Sequence, residues 1–155
     1  MTIRKNAILF LSRGCGLGSM PVAPGTFGTL AGLPICFLLS RLPLVASLAI
    51  VIIVILAAIW IAGESERILK QKDPGSIVID EIGGMIVSLT GLPFTVLNAG
   101  IGFVLFRILD IAKPVPIRTI ERRLSGGTGI VMDDIVAGLM VNITLRIVSY
   151  LINNI

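Results

Sequence analysis

The sequence has no histidine and only two cysteines among its 155 residues, which excludes several kinds of active site. Without an imidazole, phosphatases and lipid phosphatases that work through histidine are ruled out. Cys15 and Cys36 show no CxxC spacing, so neither a zinc site nor a disulfide framework is indicated. Neither has an arginine six positions later, as the loop of a cysteine phosphatase requires. We therefore expect both thiols to be small buried hydrophobic groups.

Charged residues are scarce as well, at 14% of the chain, whereas soluble domains carry roughly 25%. Hydrophobic residues make up 55% and the mean hydropathy is +1.00, which is typical of a protein embedded in a bilayer. The net charge of +4 is too small and too scattered to indicate a nucleic-acid partner, but it suits anionic lipid headgroups. The length predicts one domain, 1–155, and therefore one site, while the oligomeric state stays open.

Long stretches without charge predict the membrane segments. They are Gly14–Ser40, Leu42–Gly63, Ile82–Phe106 and Ile135–Leu145. A helix over Leu44–Ala62 would be about 28 Å long, close to the hydrocarbon thickness of a bilayer. Thr26–Leu39 predicts a shorter helix, and Ser40–Pro43 a turn that joins the two into a helical hairpin.

The stretch Ile82–Phe106 is interrupted at its centre by Gly91-Leu92-Pro93. Proline removes a helical hydrogen bond and disfavours helix just before it, so two short helices are predicted rather than one crossing. A last crossing runs from Asp134 towards Leu151. The predicted fold is an all-α integral membrane protein, with short transmembrane or re-entrant helices forming one helical bundle.

With two hairpins, the charged loops 63–81 and 107–134 lie on the same side as the N-terminus. Eleven of the thirteen Lys and Arg residues then share that side, leaving only Arg41 and Arg146 opposite. The positive-inside rule makes this side cytoplasmic, so we expect a multi-pass protein of the inner (cytoplasmic) membrane. The alternative, three simple crossings, would put Asp80 and Asp110 at opposite faces of the membrane.

The carboxylates cluster where the apolar segments end. They are Asp80, Glu81, Asp110, Asp133 and Asp134. A single acid at a helix N-terminus is explained by the backbone dipole, but adjacent pairs are not, and Asp110 ends its helix, where a negative charge opposes the dipole. No DxDx[TV] motif supplies an aspartyl-phosphate nucleophile. Carboxylate clusters suit Mg²⁺, which binds one or two of them together with a substrate phosphate.

Two kinds of phosphate ligand accompany the acids. Arg107 and Lys113 flank Asp110, and either can bind phosphate; contact with lipid headgroups is the alternative for both. The glycine-rich stretch 14–29 opens a helix whose N–H groups favour an anion, with Thr26 and Thr29 as further donors; close helix packing is the alternative. Arg118, Arg122 and Arg123 are typical of general headgroup binding.

Four stretches, taken in order, resemble the phosphatidylglycerophosphatase A family. They are Pro21–Thr29 (PVAPGTFGT), Asp73–Glu81 (DPGSIVIDE), Phe106–Ile117 (FRILDIAKPVPI) and Gly129–Gly138 (GIVMDDIVAG). Each stretch alone is moderately specific, but four in the right order across a chain of this size form a strong match. Leu109 and Gly84 differ from the family pattern at positions expected to affect packing rather than the acids.

The resemblance implies a helical membrane enzyme that hydrolyses phosphatidylglycerophosphate to phosphatidylglycerol and inorganic phosphate during glycerophospholipid biosynthesis, with Mg²⁺ required. The five acids would bind metal or activate the nucleophile, which is either water or an aspartate. The phosphate would be held by Arg107, Lys113, Gly25, Thr26 and Thr29, and Lys113 would also take part in catalysis.

Two other classes remain as alternatives. Broken helices and intramembrane charges also occur in membrane transporters for anionic solutes, although no internal repeat is visible here. A lipid-modifying transferase of the CDP-alcohol type would need a long aspartate signature, which the sequence lacks.

Overall fold

The computed structural model describes residues 2–153, which form seven α-helices and no strand. The helices are α1 (Thr2–Ser12), α2 (Pro24–Leu39), α3 (Leu44–Leu69), α4 (Ile79–Leu89), α5 (Val96–Ala112), α6 (Ile117–Arg123) and α7 (Gly126–Asn153). A 3₁₀ turn, Leu17–Ser19, precedes α2. The prediction of an all-α fold is confirmed for this part of the chain.

Two helices, α3 and α7, are long and apolar enough to cross a membrane, and α2 is a shorter apolar helix. The outward face of α3 carries large exposed hydrophobic side chains, among them Val45, Ile53, Leu56 and Trp60. Apolar patches of this size mark a surface that meets another apolar phase. The two helices are therefore compatible with a membrane location.

Both predicted hairpins are present and turn at the same end of the molecule. The turn after α2 and the turn after α4 line one cavity through Leu39, Ser40, Gly91, Leu92 and Pro93. The break at Gly91 and Pro93 separates α4 from α5, as the sequence predicts. The opposite end of the bundle therefore holds the start of α2, the end of α3, the start of α4, the end of α5 and the short helix α6.

Two helices extend beyond the bounds that charge predicts. Helix α3 continues past Ala62 to Leu69, where Arg67 pairs with Glu64 at 2.6 Å one turn away. Helix α7 begins at Gly126, well before Asp134. A gap in charge marks the apolar part of a helix and not its ends, so it underestimates helix length.

Helix α4 lies at the centre of the bundle, packed on α2 and α7, and most of its residues are buried. Glycines allow the close approach. A Cβ on Gly32 would lie 2.9 Å from Met85 Cβ, and one on Gly138 would overlap the carbonyl oxygen of Gly84. The small residues of α2 and α7 thus fix where α4, and the acids at its start, are placed.

The cysteines differ from each other, and the expectation for Cys15 was wrong. Cys36 is buried, and its Sγ donates to the Met85 carbonyl at 3.5 Å. Cys15 is exposed, because it lies in the turn between α1 and α2 with a φ of 58°. The apolar composition of this stretch gives no indication that it forms a surface turn.

The end of α4 is closed by polar side chains of α7. Asn142 donates through Nδ2, and Arg146 through Nη2, to main-chain carbonyls in the last turn of α4 and in the α4–α5 turn. The acceptors are Val87 (3.1 Å), Ser88 (3.1 Å) and Thr90 (2.9 Å) for Asn142, and Thr90 and Gly91 (3.2 Å each) for Arg146. These bonds supply partners for carbonyls that a helix end leaves free.

Candidate active site

A cavity of about 170 Å³ lies at the end of the bundle opposite the hairpin turns. We call it the inner cavity. Its charged lining consists of Asp73, Asp80, Glu81, Asp110, Lys113, Asp133 and Asp134. All five acids singled out in the sequence therefore meet in one place, although they come from three different helices.

Each acid is positioned by its place in a helix. Asp80 and Glu81 occupy the first turn of α4, where the helix dipole favours negative charge. The Asp80 carboxylate accepts the N–H of Glu81 at 3.1 Å, and Asp133 accepts the N–H of Asp134 at 3.0 Å. Asp110 lies near the end of α5 and receives its positive partner from its own helix, as described below.

Asp80, Glu81 and Asp134 form the most compact group of acids, with one carboxylate oxygen from each lying within 4.8 Å of the others. Asp80 and Asp134 are buried, and Glu81 Oε2 has no hydrogen-bond partner among residues 2–153. Burial raises the pKa of both Asp80 and Glu81, and for Asp80 the neighbouring Glu81 raises it further. Buried carboxylates with an unpaired oxygen fit a bound divalent cation, and an all-oxygen donor set suits Mg²⁺.

Arg107 forms ion pairs with two of the acids. Its Nη1 lies 2.6 Å from Asp110 Oδ2 and 4.0 Å from Glu81 Oε1, and it donates weakly to Thr29 Oγ1 at 3.5 Å. The three-residue spacing from Asp110 places both side chains on one face of α5. Arg107 thus offsets the negative charge that Asp110 brings to the end of the helix.

Lys113 caps α5 in the left-handed conformation, with a φ of 43°. Its Nζ donates to Asp133 Oδ2 at 2.7 Å and to Glu121 Oε1 at 3.0 Å. Partial burial lowers the pKa of Lys113, but the two carboxylates outweigh this and raise the pKa above its ordinary value. One charged side chain therefore connects α5, α6 and α7 at the wall of the inner cavity.

The glycine-rich stretch adjoins the site without lining the inner cavity. A Cβ on Gly25 would overlap Glu81 Oε1 and lie 3.1 Å from Arg107 Nη1, so only glycine allows α2 this close. The Thr29 hydroxyl is buried and donates to the Gly25 carbonyl at 2.8 Å, and Thr26 is half-buried. These contacts agree with the packing alternative, and phosphate binding by Gly25, Thr26 and Thr29 stays a prediction.

Two acids of the site were missed in the sequence. Asp73 lines the cavity from the loop before α4; the residue as a whole is exposed, but partial desolvation of its carboxyl group raises its pKa, and Lys113 opposes the rise. Asp73 could have been found from the sequence, because it begins the family stretch Asp73–Glu81. Glu121 meets Lys113 from α6, a helix that hydrophobic periodicity does not indicate.

A second, larger cavity of about 440 Å³ opens beside the first, and we call it the outer cavity. Both cavities are lined by Asp73, Ile130 and Asp133, so they are contiguous. The outer cavity also carries the basic side chains of Lys72, Arg118 and Arg122. The acidic inner cavity therefore adjoins a cavity of mixed charge, in which these bases lie beside Glu66, Asp73, Glu121 and Asp133.

Comparison with known proteins identifies the family. The family model described as "PgpA: Phosphatidylglycerophosphatase A" matches residues 10–149, which include every charged residue of the inner cavity. The chain belongs to the phosphatidylglycerophosphatase A family. The resemblance noted in the four sequence stretches is thus confirmed.

Curated relatives in this family cover most of the chain. The phosphatidylglycerophosphatase A of Escherichia coli (strain K12) is 40% identical over 131 residues, 84% of this chain and 76% of the relative. That of Haemophilus influenzae is 35% identical over 150 residues, 94% and 90% of the two chains. A Bacteroides thetaiotaomicron protein named "Putative phosphatidylinositol-3-phosphatase" is 35% identical over 155 residues, 93% and 94%. No solved structure matches the chain.

Proposed function

We propose that this protein hydrolyses phosphatidylglycerophosphate to phosphatidylglycerol and inorganic phosphate, with Mg²⁺ as cofactor, as a step of glycerophospholipid biosynthesis. The observation that carries the proposal is the meeting of five family-stretch acids and Lys113 in one cavity of about 170 Å³. Membership in a family of lipid phosphatases favours this reaction over the transport of an anionic solute.

The acids divide into two groups by their partners. Asp80, Glu81 and Asp134 have no basic side chain within hydrogen-bonding distance among residues 2–153, and we assign them to Mg²⁺. Asp110 and Asp133 are each held by a cation, at 2.6 and 2.7 Å. Bound Mg²⁺ would supply stabilisation of the charge that develops on the transferring phosphoryl group.

We assign substrate binding and activation of the nucleophile to the paired acids and their cations. Lys113 lies at the cavity wall, where its ammonium group would attract the phosphate monoester, and Arg107 keeps Asp110 directed into the cavity. Asp110 or Asp133 would accept a proton from an attacking water, or attack phosphorus as the nucleophile itself.

We place the active site at the cytoplasmic face of the inner membrane. Helices α3 and α7 would cross the bilayer, and the shorter α4 and α5 would enter it as a re-entrant hairpin. Lys72, Lys113, Arg118 and Arg122 line the two cavities at the acidic end, as the positive-inside rule requires of a cytoplasmic side.

Topology can be tested by thiol labelling in a background that lacks Cys15 and Cys36. Single cysteines at Lys72 and Arg122 should resist an impermeant thiol reagent in intact cells and react after lysis. A cysteine at Arg41, in the turn at the opposite end, should react in intact cells. Labelling of only one of the first two positions from outside would contradict the re-entrant hairpin.

The reaction itself is tested by phosphate release from purified protein. We expect release from phosphatidylglycerophosphate with Mg²⁺, loss of activity after chelation by EDTA, and recovery when Mg²⁺ is restored. Phosphatidic acid and phosphatidylinositol 3-phosphate serve as comparison substrates, since one relative is named for the latter. Full activity in EDTA would remove the metal from the proposal, and no release under any condition would remove the reaction.

A further inference from the structure

The outer cavity contains basic side chains that the proposed chemistry does not use. Lys72, Arg118 and Arg122 line it, and none of them forms an ion pair within residues 2–153. Their guanidinium and ammonium groups are exposed and free to bind an anion. Arginine in particular binds phosphate through two parallel hydrogen bonds.

Two of the four acids of the same cavity share one cation. Glu121 accepts from Lys113 at 3.0 Å, and Glu66 accepts the main-chain N–H of Asp73 at 3.2 Å. Asp133, shared with the inner cavity, is paired with Lys113. Lys72, Arg118 and Arg122 are therefore the unpaired cations of the cavity, and they lie beside the carboxylates of Glu66 and Asp73, which form no ion pair within residues 2–153.

The proposed substrate has a chemistry that matches two adjoining cavities. Phosphatidylglycerophosphate carries two phosphates on one glycerol: the terminal monoester that is hydrolysed, and the diester that links the headgroup to the lipid. With the monoester in the inner cavity, the diester is one glycerol away. The two cavities share Asp73, Ile130 and Asp133, so the second phosphate would lie in the outer one.

We propose that Arg118 and Arg122, with Lys72, form a subsite for the phosphodiester of the substrate and so select lipids whose headgroup carries a second phosphate. The inference rests on the proposed function, since it needs the monoester in the inner cavity. It differs from general attraction to anionic lipid, which any basic residue at the membrane edge provides.

Arg123 supplies the matched control. It follows Arg122 on α6, is likewise exposed, and lines neither cavity. Arg122→Gln and Arg123→Gln remove the same charge at the same membrane edge. We expect Arg122→Gln to raise the KM for phosphatidylglycerophosphate by about tenfold or more, because a charge-assisted hydrogen bond is lost. The kcat should change little, since the diester is remote from the reacting bond.

The Arg123→Gln variant should keep the KM within about threefold of the unmodified protein, as expected for one exposed charge. Phosphatidic acid, followed as a substrate or as a competitive inhibitor, has no diester and should bind equally well to both variants. Thermal unfolding of the two variants in detergent checks that α6 is intact.

The outcomes separate the two proposals. If the unmodified protein releases no phosphate from phosphatidylglycerophosphate, the proposed function itself is wrong. If it does, and both variants raise the KM by the same factor, the arginines act by general attraction and the subsite is overturned. An equal loss of phosphatidic acid binding in Arg122→Gln would also overturn it.

Discussion

Replacement of Asp110 by asparagine is expected to lower kcat by about a thousandfold or more, as for loss of a group that acts on the reacting phosphate. The side chain lines the inner cavity, and its carboxylate is 2.6 Å from Arg107. Asparagine keeps the volume and an oxygen acceptor for Arg107, so the protein should still fold and be extracted. Only the negative charge is removed, and excess substrate should not restore the rate.

The control is Glu64→Gln, which removes a carboxylate that also pairs with an arginine of its own helix at 2.6 Å but lines neither cavity. Phosphate release by this variant should be close to normal. Near-normal turnover by the Asp110→Asn protein at limiting Mg²⁺ would instead show that Asp110 is only a solvated helix end.

The substitution Gly84→Ala should impair both folding and turnover. A Cβ at this position would lie 2.5 Å from the Phe106 ring and 2.8 Å from the carbonyl oxygen of Asp134. Because Phe106 is fully buried, α4 would have to move away from α5 and α7. We expect a loss of about 1 to 3 kcal/mol in the free energy of unfolding, typical of an overpacked core.

Turnover should fall further than stability alone explains. Moving α4 separates Asp80 and Glu81 from Asp134, and a shift of about 1 Å in a site costs on the order of a hundredfold in rate. The neighbouring Gly83→Ala is the control, because its Cβ would meet only Ile135 Cδ1 at 3.7 Å. That variant should be active and unfold at an equal or higher temperature. Equal behaviour of the two variants would refute the packing argument.

The helical hairpins could be predicted because their signals are local. Gly91 and Pro93 break the helix wherever the rest of the chain lies, and Ser40–Pro43 makes a turn by its own chemistry. Helix α6 and the start of α7 could not be predicted in this way. Helix α6 has only seven residues, most of them polar, and α7 begins with glycines, so neither shows a helical periodicity; α6 packs on α7, and α7 packs on α3.

The membership of the site could be predicted only in part. The acids carry a strong signal, since charge next to apolar segments is costly and rarely incidental. The pairing between helices carries none: Lys113 meets Asp133 across 20 positions and Glu121 across 8, separations that only the packed helices bring together. The exposure of Cys15 was missed for a different reason. A surface turn and a buried glycine-rich segment have similar compositions.

The bonds from Asn142 and Arg146 to the carbonyls of the α4–α5 turn bear on how the molecule would respond to bilayer thickness. A turn whose carbonyls are bonded by protein does not need water, so it is not tied to the membrane surface. The position of the turn is set instead by α7, to which these bonds join it. If α3 and α7 cross a bilayer as proposed, a tilt that takes up hydrophobic mismatch would carry the hairpin along with α7, and the acids at the other end would keep their spacing in thin and thick membranes alike.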